Sequence, residues 1–303
     1  MPNNYSSFGR VRGRFYNPER VENREIVIEF LTDIFEYRFL ANAVTAAILC
    51  GVCCGIVGTY MVVRRLVFLG GGITHSSFGG IGLAYYLGLN PLWGAGLFAL
   101  LSAVGIEASS RKGQIREDSA IGIMWSVGMA IGILFIYLTP GYAPNLMNFL
   151  FGNILTVTTT NIKLLALLAV VLVVMFSIWH RQVMFVAFDR DYAESQGVKT
   201  GLVAYTVAVL TAITIVLSIR AVGIVMLISL LTIPPVIANS LSGSYKRITI
   251  WSVIIAIVGN LAGLFVSYRL DVPAGAATIF LLTVVLIGVK LVPLCKFRRV
   301  EAK

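Results

Sequence analysis

The chain of 303 residues holds two histidines, and one of them, His75, stands where an ionisable group is costly. Residues 68–89, FLGGGITHSSFGGIGLAYYLGL, have the length and apolarity of a membrane-crossing helix. At helical spacing Gly71, His75 and Gly79 share one face, and Gly72, Ser76 and Gly80 form a small-residue stripe beside it. Small residues let transmembrane helices approach closely. An imidazole in that setting can hydrogen-bond a neighbouring helix or serve a functional site. From a helix start near Leu66, a rise of about 1.5 Å per residue puts His75 near the middle of a ~30 Å hydrocarbon core. Ionisable groups at such depth are candidate functional sites by default.

The other reactive side chains offer less. His180 lies between Trp179 and Arg181 at a membrane edge and reads as an interfacial anchor. Cys50, Cys53 and Cys54 fall inside the first apolar segment without a nearby His or acid, so they read as small buried residues, and Cys295 is alone. Three acids draw notice. Asp271, before Pro273 and Gly275, is placed to attract cations at an outer mouth or to cap a helix. Glu107 is spaced to pair with Arg111 at i+4, and Asp118 resembles an N-cap. His75 adjoins Ser76, but helix neighbours point about 100° apart, which excludes a Ser–His dyad, and no GxSxG occurs. No GxxxxGK[ST] occurs either, so ATP cannot bind by that route.

The elements that must carry these residues are membrane helices. Hydrophobic residues make up 58% of the chain and charged ones 13%, against about 25% charged in soluble domains. The expected fold is all-α: a polytopic membrane bundle of eight to nine transmembrane helices, one of them proline-broken. Nine apolar segments lie near 40–63, 66–89, 91–109, 119–139, 161–180, 200–219, 221–241, 248–269 and 273–293. In the segment 222–241, Pro234 and Pro235 remove donors and free the carbonyls of Leu230 and Leu231, predicting a cavity-lining break or a packed kink. Residues 1–38 read as a polar N-terminal segment with an interfacial amphipathic helix at 25–38, and 39–303 as the transmembrane domain. The first 24 residues lack an apolar run, so no cleavable signal peptide is expected.

The net charge of +10 is a topology signal. Apart from the N-terminal residues 1–38, whose six arginines are balanced by six acids and lie mostly far from the first span, fifteen basic residues fall on one side of a nine-span arrangement, and only Lys163, Arg220 and Arg269 on the other. The positive-inside rule makes the rich side, with the C-terminus, cytoplasmic, and no nucleic-acid partner is implied. On that side, residues 181–199 predict a short helix with Asp189 or Asp191 as N-cap and Gly197 at C′, exposing Phe188 and Tyr192. Composition alone allows a solvated loop helix or a docking knob. Residues 140–161 predict a surface-lying or re-entrant helix at the outside.

Several blocks, in order, resemble the permease subunits of zinc/manganese/iron-type ABC importers. They are Arg64-Arg65 with FLGGGITHSSFGGIGLAYYLGLNP, REDSAIGIMWSVGMAIGI, LMNFLFGNIL, FDRDYAESQGVK, RAVGIVMLISLLTIPPVIA and DVPAGAATIF, spanning roughly residues 30–293. The resemblance implies a plasma-membrane permease with a divalent metal as transported substrate and no permanent cofactor. Its partners would be cytoplasmic ATPase subunits, an external metal-binding protein, membrane lipid and a second permease chain, identical or related. It makes His75, and more weakly Asp271, metal contacts. Gly71, Gly79, Pro234 and Pro235 would line the path. Asp189, Asp191, Tyr192, Glu194 and Gly197 would form the ATPase-coupling loop. One departure matters: the family pattern has Asp four residues before the His, and here that position is Gly71. Asn153 likewise stands where some members have Asp. Thr74, Ser76, Met147 and Asn148 are auxiliary ligand candidates. The alternative function is an ion-coupled secondary transporter, or a permease for a non-metal solute.

Overall fold

The computed structural model describes residues 23–111, 115–139, 152 and 154–301. Among them are eleven α-helices and no strand: α1 (Asn23–Glu36), α2 (Arg38–Val63), α3 (Val67–Tyr86), α4 (Pro91–Arg111), α5 (Glu117–Leu138), α6 (Thr159–Ile178), α7 (His180–Phe188), α8 (Arg190–Ser195), α9 (Thr200–Leu241), α10 (Tyr245–Leu270) and α11 (Ala274–Glu301). A 3₁₀ turn at Ile154–Thr156 precedes α6.

The centre of the bundle is α2 crossed by α9 and α10. Glycines make the crossing close: a Cβ added at Gly51 would stand 2.9 Å from the backbone N of Ile257, and one at Gly55 2.7 Å from the Cα of Val253. Two side chains of α10 donate into the α2 backbone, Ser252 to the carbonyl of Gly55 (3.0 Å) and Asn260 to that of Ala47 (2.9 Å). Such interhelical hydrogen bonds act as polar glue where lipid supplies no hydrophobic drive between helices. Cys50, Cys53 and Cys54 are free thiols buried in this core. At the opposite edge, α3 is sandwiched between α4 and α5.

Two expectations are corrected. Seven helices among the described residues are long and apolar enough to cross a membrane, not eight to nine. Helix α3 has the length, at 20 residues, but its glycines, serines and His75 dilute its apolarity; it is covered by α4 and α5 instead. The expected segments 200–219 and 221–241 lie end to end in α9, where two helices meet at a kink at Gly223, close to the expected boundary.

The second correction concerns the break. Helical geometry in α9 fails at Gly223 (φ 77°, ψ 166°), a region essentially open only to glycine, and continues through the buried Pro234 and Pro235. Proline 235 does free the carbonyl of Leu231, and that carbonyl packs directly on Gly58 of α2, where no side chain intervenes. Close packing on a glycine lets the helix keep its course past two prolines. At Gly223 the backbone instead meets Gly152, itself at φ 65°.

Helix α1 is amphipathic as expected. Phe30 packs edge-on against Phe265 and Tyr268 of α10, and the Tyr268 hydroxyl donates to Asp33 (2.6 Å). Ile28, Leu31 and Phe35 stay exposed, suited to the bilayer interface.

Candidate functional site

Helix α3 is held by backbone-to-backbone contacts, and these set where His75 points. Gly80 faces Gly94 of α4, each occupying the space a side chain on the other would need. Ser76 lies on Gly128 of α5, and Gly82 on Gly132. The Ser76 and Ser102 hydroxyls hydrogen-bond across α3 and α4. Locked on these sides, α3 turns His75 to its one half-open face.

His75 is stacked on Trp125 of α5, with ring centroids 4.3 Å apart and planes 11° from parallel. The same indole covers Gly71, where an added Cβ would lie 3.1 Å from its ring. Gly71 and Gly79 are both buried against α5. The space beside Gly71 is therefore filled by an aromatic ring rather than a carboxylate. Trp125 escaped the sequence reading, because only packing brings it to His75; the signal available was an aromatic two turns into the REDSAIGIMW block. The hydroxyl of Thr74 donates to the carbonyl of Gly70, and that of Ser76 is engaged with Ser102. Met147, Asn148 and Asn153 lie outside the described residues. Among the described residues no three His, Cys, Asp or Glu side chains gather to hold a metal. On this face of α3 the described residues place one imidazole, stacked on an indole.

Asp271 ends α10 in the left-handed conformation (φ 57°), exposed, with its N–H donating to the carbonyl of Ser267 (3.0 Å). It is a C-cap and not the N-cap of the next helix. His180 opens α7 with its ring 5.4 Å from that of Tyr245.

The residues expected to form a docking loop do form a discrete helix. Asp189 caps α8 by accepting from the N–H of Tyr192 (3.0 Å). Gly197 (φ 75°) ends it: its N–H reaches the carbonyl of Glu194 (2.9 Å) and the N–H of Val198 that of Ala193 (3.0 Å), the paired bonds of a Schellman motif. Phe188 and Tyr192 are 67% and 50% exposed on the resulting knob. Asp191 lies in its first turn, favourable to the helix dipole.

A charged cluster ties this knob to the spans. Glu107 is 4% exposed and sits between Arg190 at the start of α8 and Arg64 at the end of α2 (3.5 Å). Arg64 also reaches Glu117, the first residue of α5 (3.1 Å), and donates to the Tyr60 hydroxyl (2.9 Å). Arg111 pairs with Glu194 (3.9 Å), not with Glu107 as the i+4 spacing suggested. Asp118 is not the N-cap of α5; Arg116 is, and the two pair at 3.8 Å. Removing one partner from a buried pair of this kind costs about 3–5 kcal/mol, whereas the exposed Arg111–Glu194 and Arg116–Asp118 pairs contribute about 0–1 kcal/mol. The cluster also brings Arg64, Glu107, Glu117 and α8 to one end of the bundle, the grouping that the distribution of basic residues implied.

Residues 36–292 match the family described as "ABC 3 transport family". A Chlamydia pneumoniae protein named "Probable metal transport system membrane protein" is 37% identical over 251 residues, 81% of this chain and 86% of that relative. The "Manganese transport system membrane protein MntC" of Listeria monocytogenes serovar 1/2a is 26% identical over 84% of this chain and 91% of its own length. Among solved structures, "PsaBC from Streptococcus pneumoniae in complex with Fab" superposes with a TM-score of 0.76 at 28% identity, over 87% of this chain and 95% of that one. Helix α1 lies almost wholly outside the matched residues.

Proposed function

Since the chain belongs to the ABC 3 transport family, we propose that it is the multi-pass permease subunit of an ABC importer carrying divalent transition-metal ions into the cytoplasm. The single observation that carries the reading furthest is the capped, exposed α8 knob fastened to the spans by buried charge. A helix that merely covered a loop would need neither. It fits a cytoplasmic ATPase subunit, which this chain requires because it has no phosphate-binding loop of its own. The names of the relatives support metal as cargo, and the basic residues support a cytoplasmic α8 end and C-terminus in the plasma membrane. An external metal-binding protein would deliver the ion to the opposite end, near Asp271. His75 would line the path, with Gly71 and Gly79 setting how closely α3 and α5 approach there. Pro234 and Pro235 would shape the path wall from α9. A second permease chain would supply a second imidazole and complete the path.

Tyr192→Ala removes half-exposed contact area from the knob, together with one edge-on ring contact to Phe185. Gly197→Pro destroys the left-handed cap, since proline cannot adopt positive φ. In the reconstituted complex each is expected to lower metal moved per ATP hydrolysed by at least about tenfold, while the protein stays folded. Unchanged coupling in both variants would count against α8 as the docking element.

A further inference from the structure

Helix α8 has six residues and buries only Ala193; beyond the edge-on contact of Tyr192 with Phe185 of α7, its hold on α4 rests on charge. That charge is arranged as two rungs. Arg190 and Glu194 lie one turn apart on α8, and Glu107 and Arg111 lie one turn apart on α4. Arg190 meets Glu107 and Glu194 meets Arg111, with the signs reversed between rungs, so only one register and one direction satisfy both. The two rungs differ in environment. The Glu107 side chain is 5% exposed and its partner Arg190 25%; Arg111 and Glu194 are 32% and 56% exposed. Water screens the outer rung and leaves the inner one stiff, so α8 can tilt about Glu107.

What Glu107 holds at its other oxygen gives that tilt a destination. Oε2 faces Arg64, and Arg64 holds Glu117 at the start of α5. Helix α5 carries Trp125, the ring stacked on His75. Helix α4, which carries Glu107 itself, also carries Ser102, bonded to the neighbour of His75. Both helices that clasp α3 are therefore anchored at their α8 ends by one carboxylate. Arg190 contributes a further sign of a second arrangement: its Nε is buried with no hydrogen-bond partner, a donor that stands to gain by moving.

We propose that Glu107 is the positioning residue through which movement of the α8 helix reaches the His75 helix, acting as a pivot between Arg190 and Arg64. This rests on the importer reading given above. Docking forces on α8 pull Arg190, the carboxylate passes the displacement to α4 directly and to α5 through Arg64 and Glu117, and α3 follows because glycine contacts leave it no slack. Rigid elements with discrete arrangements can carry coupling in this way; coupled measurements are what establish it.

The test uses the whole complex of this chain, its ATPase and its metal-binding protein in proteoliposomes, with ATP hydrolysis and manganese or zinc uptake read in the same sample. Glu107→Gln keeps the shape and removes the charge; Arg190→Gln removes the charge on a shorter side chain. The expected result is hydrolysis within about twofold of wild type and a fall of at least tenfold in metal moved per ATP, with Arg190→Lys, which keeps the charge, close to wild type. If Glu107→Gln does not assemble, Arg190→Gln on its surface helix decides alone. A ratio equal to wild type, or uptake and hydrolysis falling together in proportion, overturns the pivot. A wild-type complex that moves no metal would instead remove the importer reading, which keeps the two failures apart.

Discussion

His75→Ala is expected to cut metal uptake by at least about tenfold while the ATPase partner still hydrolyses ATP and the permease remains folded. The imidazole is half open on a helix largely buried by α4 and α5, and its removal takes away the one imidazole on that face. Its structural loss is small, since the stack on Trp125 is worth about 0.5–1.5 kcal/mol beyond area burial. Uptake compared for zinc, manganese and iron separates the roles further. Without a carboxylate at position 71, the imidazole would be the one candidate ligand on this face, since the Trp125 indole nitrogen bears a proton and only donates; imidazole suits Zn²⁺ better than Mn²⁺, so zinc uptake is expected to fall furthest. Normal transport of all three metals by His75→Ala would remove the path-lining role.

Gly80→Val is expected to abolish folded protein or lower its stability by at least about 3 kcal/mol, read as yield and melting temperature in detergent. A side chain there collides with the backbone of Gly94, and a helix backbone cannot step aside as a rotamer can. Gly122→Ala on α5 is the contrast: nothing lies within 4 Å of the added methyl, and the helix gains about 1 kcal/mol of propensity at most. Equal melting temperatures for the two variants would mean that α3 is not held by the glycine contacts.

Local chemistry was legible in the chain, and tertiary chemistry was not. Asp189 and Gly197 bound α8 as read because capping is decided by residues within one turn. The amphipathic α1 was legible for a similar reason, since one face of a helix shows as period. Glu107 shows where such reasoning ends. Its i+4 neighbour Arg111 is the local choice, but Arg64 and Arg190 reach it from other elements in a buried site, where charge pairing is far stronger than on a surface. The Gly71–His75 face was visible as a pattern, whereas Trp125 lies 50 positions further on and enters only once α5 is packed. In α9 the break falls at Gly223, where the backbone packs on Gly152 and close to the expected boundary between segments, and not at the two prolines.

The most direct test of the importer reading is metal accumulation in sealed proteoliposomes holding the full complex, with ATP and ion gradients varied independently. The account predicts accumulation that requires ATP hydrolysis and persists when proton and sodium gradients are collapsed. Accumulation driven by a gradient in the absence of ATP would contradict it.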